Sequence, residues 1–216
     1  MDFVHFANLS SPEGEGFQPS LTGTIINAEE DFHSSIESNM MPILNAIRQR
    51  NISFYNDDEQ CIKFLHFLSL QSFRTKGTRE RVIEKPYPAD FNIGNCWNIL
   101  RHIFAVNVGV SLFLDRKKRP LFLIENNTGV PFITGDQPVI NLFSSTQLTE
   151  APRLLCLYYP ITPWLAIVLD EVTERCAYGT DKLSLDQVSK LNREMHAASF
   201  MQVFGHSRES LTLPCS

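Results

Sequence analysis

The feature that most constrains this chain is a helical stretch whose apolar residues lie on nearly every side. Asn56 or Asp57 can cap the helix, and the apolar positions that follow run from Cys61 to Leu70. A helix that is apolar all round has to be enclosed by other elements. The sequence therefore predicts a central, buried helix with the rest of the structure packed around it.

Three further helices are predicted, one near each end of the chain and one between them. Apolar residues at helical spacing indicate a first helix over about 28–50, and Asn95 can cap a third helix that runs towards Asp115. The end of this third helix could instead be a strand. Ser184 and Gln187 form a capping-box pattern that opens a last amphipathic helix, which we expect to end near Gly205.

Short apolar runs between the third and the last helix predict strands. Residues 121–124 and 130–134 flank a turn-like segment and are typical of a β-hairpin, and 154–159 and 165–170 indicate two more strands with an irregular connection. Strands that follow one another without regular alternation with helices favour an α+β fold. We expect helices at both ends around a small, mainly antiparallel sheet.

Length and composition predict one globular domain that follows a mobile N-terminal segment. The chain has 216 residues, 43% of them hydrophobic, which is ordinary for a domain with a sizeable core. Residues 7–24 are rich in Ser, Gly, Pro and Glu. We therefore expect a mobile N-terminal segment over 1–26 and a single domain over 27–216.

Charge and cysteine content narrow the class of protein. The formal net charge of −5 argues against a broad nucleic-acid-binding surface. The five cysteines include no Cys-x-x-Cys pair, and most lie in apolar runs, as in reducing compartments. No signal peptide is evident, and the longest apolar stretch, 99–114, is interrupted by polar residues and shorter than the roughly 20 residues of a membrane span. We expect a soluble cytoplasmic protein without a membrane anchor; a homo-oligomer remains open.

The sharpest local motif is a strand that runs directly into a Gly-Asp-Gln-Pro turn over residues 135–138. No standard catalytic signature is present. Asp136 at the end of this strand could bind a divalent metal or act as a base, alone or in a carboxylate cluster with Glu37 and Glu125. Alternatively, Asp136 accepts backbone N–H groups in a turn, and the two glutamates lie on solvated faces.

Two polar residues interrupt the end of the apolar helix. Gln71 and Arg74 are three residues apart, so they share a face and need either partners or a cleft. The Arg74 guanidinium could hold a phosphate or carboxylate, or it could bridge to Asp136. We predict a polar cleft where this helix end meets the Gly-Asp-Gln-Pro turn.

Three segments together resemble a known family. They are 67–75 (Phe-Leu-Ser-Leu-Gln-Ser-Phe-Arg-Thr), 132–139 (Phe-Ile-Thr-Gly-Asp-Gln-Pro-Val) and 159–163 (Tyr-Pro-Ile-Thr-Pro). Their order and spacing are similar to the bacterial and fungal proteins called domain of unknown function four-two-three-eight. The family pattern has a Gln-x-x-Arg-Thr helix, a Thr-Ser-Asp-x-Pro-Val turn, a Pro-Leu-x-Pro-like connection and a C-terminal helix with an Asn. The resemblance places that Asn at Asn192.

The chain departs from the family pattern in two places. Gly135 stands where the family usually has Ser, and the family's N-terminal His-Tyr-x-Pro-like segment is missing, so the resemblance covers about residue 27 to the end. The family has no settled activity. The resemblance therefore implies a fold and the location of a site, and it leaves open whether this chain is catalytic.

Two functional hypotheses follow. In the first, the protein is a metal-assisted enzyme acting on a nucleotide or nucleic-acid phosphate, in which Asp136 binds the divalent metal or acts as base and Arg74 holds the phosphate. Gln71 and Asn192 would contact the substrate. In the second, the protein is a non-catalytic binding or interaction module, and Arg74 and Asp136 form a buried structural pair.

Overall fold

The computed structural model describes residues 34–88, 92–144, 154–170 and 183–211. The chain divides into two compact units, Met1–Met41 and Pro42–Ser216. The predicted mobile segment 1–26 lies outside the described residues. The described helices are α1 (34–48), α2 (Asp58–Phe73), α3 (Lys76–Ile83), α4 (Ile93–Leu114) and α5 (Leu185–Ala198).

The predicted central helix is α2, and its burial is confirmed. The Asp57 side chain accepts a hydrogen bond from the Gln60 N–H at 2.9 Å and caps the first turn. Phe64 and Leu65 in its middle are completely buried. Helix α4 packs along α2. The two backbones approach closely at Gly109, where a Cβ atom would lie 2.9 Å from the His66 Cα.

Helix α4 differs from the expectation at both ends. The cap is Asn92 and not Asn95, because the Asn92 side chain accepts a hydrogen bond from the Gly94 N–H at 3.0 Å. The alternative of a strand over 108–114 is wrong, since the helix continues to Leu114. Buried residues at helical spacing, including Ala105 and Leu112, hold this end against the core.

The fold is α+β, with a small antiparallel sheet as expected. The described strands are β1 (Leu121–Glu125), β2 (Thr134–Gly135), β3 (Ile140–Asn141), β4 (Cys156–Thr162), β5 (Leu165–Asp170) and β6 (Val203–Phe204). Four of them form one sheet in the order β1-β5-β4-β3. A tight turn at 163–164 joins β4 to β5, where an irregular connection was expected, and every residue of β5 is buried.

The predicted hairpin between 121–124 and 130–134 does not form. Strand β1 pairs with β5, and β2 pairs with β6. The cause is Asn126, which is buried and whose amide donates to the Val130 carbonyl at 2.7 Å while its backbone N–H donates to the Trp164 carbonyl. These bonds lead the chain across the β4–β5 turn instead of back along β1.

The last helix begins as predicted and ends earlier. Ser184 and Gln187 form the capping box in both directions. Helix α5 stops at Ala198, not near Gly205, because the next residues turn and enter β6. Leu191 and Met195 on its inner face pack in the same core cluster as Tyr158 of β4.

We predict that Gly109→Ala destabilises the protein by about 1–3 kcal/mol, although alanine is the better helix former by about 1 kcal/mol. The added Cβ would meet the backbone of His66, which cannot rotate away. Chemical denaturation measures the change. Gly129→Ala is the control, because nothing lies within 4 Å of a Cβ there; equal losses for both variants would contradict the close approach.

Candidate functional site

A cavity of about 440 Å³ lies between the end of α2, strand β4 and the turn after β2. Gln71, Arg74 and Asp136, the three residues placed together from the sequence, all line it. The other lining residues are Thr75, Thr134, Gly135, Pro138, Tyr159 and Pro160. A volume of this size falls in the range of small-molecule sites.

Helix α2 presents two different polar side chains to the cavity. Gln71 in the last turn is 3% exposed, and no hydrogen bond joins its amide to another residue in the described part of the chain. Arg74 follows three residues later at the C-cap and is exposed. The pair therefore combines a glutamine that is almost enclosed with a guanidinium that reaches solvent.

The chain breaks at Thr75 and begins a new helix at the cavity wall. Thr75 has extended backbone angles, and its side chain accepts a hydrogen bond from the Thr78 N–H and so caps α3. The Thr78 hydroxyl also bonds to the Ser72 carbonyl at 2.8 Å. Arg81, whose pKa is lowered by burial, donates to the same hydroxyl. The sequence interpretation missed α3; the Thr-x-x-Thr spacing at its start was the available signal.

Gln137 joins the Gly-Asp-Gln-Pro turn to α3. Its Nε2 donates to the Thr78 hydroxyl at 3.1 Å, and the side chain is 5% exposed. Its Oε1 is buried and has no hydrogen-bond partner. Sequence reasoning treated this position as the variable residue of the turn, because its partner is 59 residues away.

The Asp136 carboxylate is occupied by the backbone that follows α5. It accepts hydrogen bonds from the N–H groups of Phe200 at 2.8 Å, Met201 at 2.7 Å and Gln202 at 3.2 Å. The Asp136 N–H donates in return to the Gln202 carbonyl at 3.0 Å. Hydrogen bonds to an ionised acceptor are about twice as strong as neutral ones. Asp136 thus organises the segment that leads from α5 into β6.

Gly135 lies at the same close approach. A Cβ atom on residue 135 would meet the Ser199 hydroxyl and lie 3.1 Å from the Gln202 carbonyl oxygen, so Ser199 would have to shift. Ser199 itself is held by a hydrogen bond from its hydroxyl to the Met195 carbonyl at 2.8 Å. The glycine therefore lets the segment after α5 lie directly against β2.

Within the described ranges, no group of three or more His, Cys, Asp or Glu side chains could hold a metal ion. Asp136 is engaged by three N–H groups, and Glu125 forms an ion pair with Arg50 at 2.8 Å. Glu37 belongs to the other unit.

Asn192 lies in the core and does not line the cavity. It is 3% exposed, its Oδ1 accepts from the Ile133 N–H at 3.1 Å, and its Nδ2 donates to the Pro131 carbonyl at 2.9 Å. Helix α5 thus fixes the strand that leads into the Gly-Asp-Gln-Pro turn. The described ion pairs do not include one between Arg74 and Asp136.

We predict that Asp136→Ala lowers the free energy of unfolding by about 2–4 kcal/mol, because three backbone N–H groups lose a charged acceptor. Asp136→Asn should lose less, since one amide oxygen can still accept. Urea denaturation measures both. The matched control is Asp186→Ala on the exposed start of α5; a loss at Asp136 no larger than at Asp186 would show that these hydrogen bonds contribute little.

One family model matches the chain. It is described as a protein of unknown function (DUF4238), and it covers residues 99–209. The matched region contains Asp136, Tyr159 and Asn192, and it begins after Gln71 and Arg74. No curated protein and no solved structure matches the chain.

Proposed function

Because the chain belongs to the DUF4238 family of unknown function, its role has to be argued from the cavity, and we propose that it binds a small phosphorylated molecule there. The ligand is of about the size of a mononucleotide. Its phosphate lies against Arg74, and another polar group pairs with the Gln71 amide. Asp136 supports the site through the backbone and does not take part in chemistry.

The observation that carries this proposal is the Gln71 side chain. The residue is 3% exposed, its amide has no hydrogen-bond partner in the described part of the chain, and it lines the cavity. Its amide atoms are not among the fully enclosed polar atoms of the described residues, so they keep access to the cavity. A polar group at such a position is suited to pairing with a ligand, whereas an apolar side chain would serve a purely structural role better.

The charge around the cavity favours an anion. The Arg74 guanidinium is a planar fork of donors that matches phosphate oxygens. Helix α3 begins beside it at Thr75, and the N-terminal end of a helix carries partial positive charge and unpaired N–H groups. Thr134 lines the same cavity and carries a further hydroxyl group.

The rest of the cavity limits the ligand to a small molecule. Tyr159, half-buried in β4, gives one wall an aromatic character suited to a base or another flat ring. The net charge of −5 disfavours a long polyanion, which gains its affinity from many phosphate contacts. A mononucleotide or a similar phosphorylated metabolite suits both features better than RNA or DNA.

The geometry favours a binding role over metal-assisted catalysis. The enzyme hypothesis needs Asp136 as base or metal ligand, but its carboxylate is committed to the N–H groups of residues 200–202. The non-catalytic alternative requires Asp136 to be structural, and these hydrogen bonds support that role. The structural partner in this case is the backbone, not Arg74.

We expect AMP and inorganic phosphate to raise the melting temperature of the protein, and uncharged adenosine to have no effect. Ligand at about 100 times its dissociation constant stabilises by roughly 2.7 kcal/mol. Arg74→Ala should abolish the shift. Gln71→Met should abolish or strongly weaken it while leaving the ligand-free protein equally or more stable, because the unpaired amide is replaced by an apolar group of similar size. A thermal-shift titration measures both effects.

Gln60→Met and Arg193→Ala are matched controls, since both positions are exposed and lie outside the cavity lining. Both should retain the ligand shift. The proposal fails if phosphate and AMP give no shift with the wild type. It also fails if Gln71→Met is destabilised while its ligand shift is unchanged.

A further inference from the structure

Helix α4 carries a continuous apolar stripe on the side that faces solvent. The stripe consists of five aliphatic side chains, each between 40% and 73% exposed. They are Ile99, Ile103, Val106, Val110 and Leu114. A row of this kind on a protein surface marks an interaction site more often than chance, because single exposed apolar residues are ordinary and contiguous rows are not.

The spacing of the stripe is that of a helix-pairing seam. Its members are separated by four, three, four and four residues, so they lie on one face over about 24 Å of helix. Steps of four and three keep a row of side chains turned towards a neighbouring helix. Ile and Val, which have few side-chain rotamers to lose, dominate the row.

The polar margins of the stripe suit a second copy of the same surface. Asn95, Asn98, Asn107 and Ser111 are exposed along the same helix and carry no charge. The single charged residue of α4, Arg101, is partly buried. Two copies can therefore meet face to face without bringing like charges together, as an isologous interface requires.

The available area is consistent with a dimer. Five aliphatic side chains, each about half exposed, offer on the order of 500 Å² of apolar surface per copy. The amide and hydroxyl side chains of the margins bring the area towards the roughly 800 Å² per partner of a standard interface.

The basic cluster after α4 favours one orientation. Arg116, Lys117, Lys118 and Arg119 follow Asp115 at the end of the helix. Arg116 pairs with Asp58, and Lys118 and Arg119 pair with Asp115, so the cluster stays net positive. Parallel helices would place the two clusters side by side, where they repel. Antiparallel helices place them at opposite ends and also oppose the helix dipoles favourably.

We propose that the protein forms a two-fold symmetric dimer in which the α4 helices pack antiparallel through this stripe. In this arrangement Ile103 of each copy packs beside Val106 of the other. The other face of α4 stays in the core of its own copy, where Trp97, Ala105 and Leu112 are buried. The dimer is independent of the cavity and of its ligand.

A lipid surface is the competing occupant. Helix α4, at 22 residues, is long and apolar enough to cross a membrane by length and composition. Its packing against α2 and its uncharged margins argue for a protein partner instead, since helices that lie in a membrane surface carry Lys and Arg on their polar face. The experiment below therefore also measures binding of the protein to lipid vesicles.

The first experiment measures mass in solution. The full-length protein should sediment as a dimer from low micromolar to a few hundred micromolar concentration, and Ile103→Glu should sediment as a monomer with an unchanged circular dichroism spectrum. Leu185→Glu is the matched control, because Leu185 is 53% exposed on α5 and lies outside the stripe; it should remain a dimer. A wild type that is monomeric throughout overturns the proposal, whether or not it co-sediments with vesicles of anionic lipid.

A second experiment tests the antiparallel register. Cys96 is exposed one turn before Ile99, and antiparallel pairing places it near Leu114 of the other copy. In a Cys176→Ser, Cys215→Ser background, adding Leu114→Cys should allow a short bis-maleimide to link the two copies. The background alone should not be linked. Linking of the background through Cys96 would indicate parallel helices, and an Ile103→Glu variant that remains dimeric would show that another surface is used; either result overturns the proposal.

Discussion

The Asp136 carboxylate, which accepts hydrogen bonds from three consecutive backbone N–H groups at 200–202, holds together the parts of the structure that form the cavity. This contact joins the turn after β2 to the segment after α5, and the β2–β6 pairing continues it. Gly135 fits this approach, since a Cβ atom there would require Ser199 to shift. Asn192 and Gln137 add two further links, from α5 to the strand before the turn and from the turn to α3. The cavity beside Gln71 and Arg74 depends on all of these links.

The elements predicted correctly are those whose formation depends on interactions between residues only a few positions apart, or on the composition of the segment itself. Asp57 caps α2 and Ser184 opens α5 through bonds to residues three positions away, and the burial of α2 follows from its composition. The strands β4 and β5 correspond to short apolar runs with prolines between them, which is typical of buried strands. The sequence also placed Gln71, Arg74 and Asp136 together, because polar residues that interrupt apolar elements have to meet somewhere.

The wrong predictions concern elements that are determined by contacts between residues far apart in the sequence. The pairing of β2 with β6 spans almost 70 residues, and nothing near Val130 distinguishes this from a hairpin with β1. Asn126 directs the chain away from β1 through the Trp164 carbonyl, which only the folded structure brings near. For Asp136, the sequence predicted as one of two alternatives that the carboxylate accepts backbone N–H groups. It did not predict which groups these are, because residues 200–202 lie in a segment that was assigned to the last helix. The family resemblance suggested that Asn192 contacts the substrate. In the structure its side chain is hydrogen-bonded to the backbone of residues 131 and 133 in the core, a position that a sequence motif cannot reveal.

The polar residues that build the cavity walls are held by hydrogen bonds within the protein, as Asp136 and Thr75 are. The central claim of our proposal is that the Gln71 amide, which lines the same cavity, pairs with a ligand. The most direct measurement follows the Gln71 side-chain NH₂ and the Arg74 Nε–H in ¹H–¹⁵N correlation spectra, assigned by mutation, during titration with AMP. Our account predicts that both signals shift together and saturate with a single dissociation constant, while the backbone N–H signals of Phe200 and Met201 keep their protected positions. Signals of Gln71 that do not move at saturating ligand, or Gln71 amide protons already protected from solvent exchange in the ligand-free protein, would contradict it.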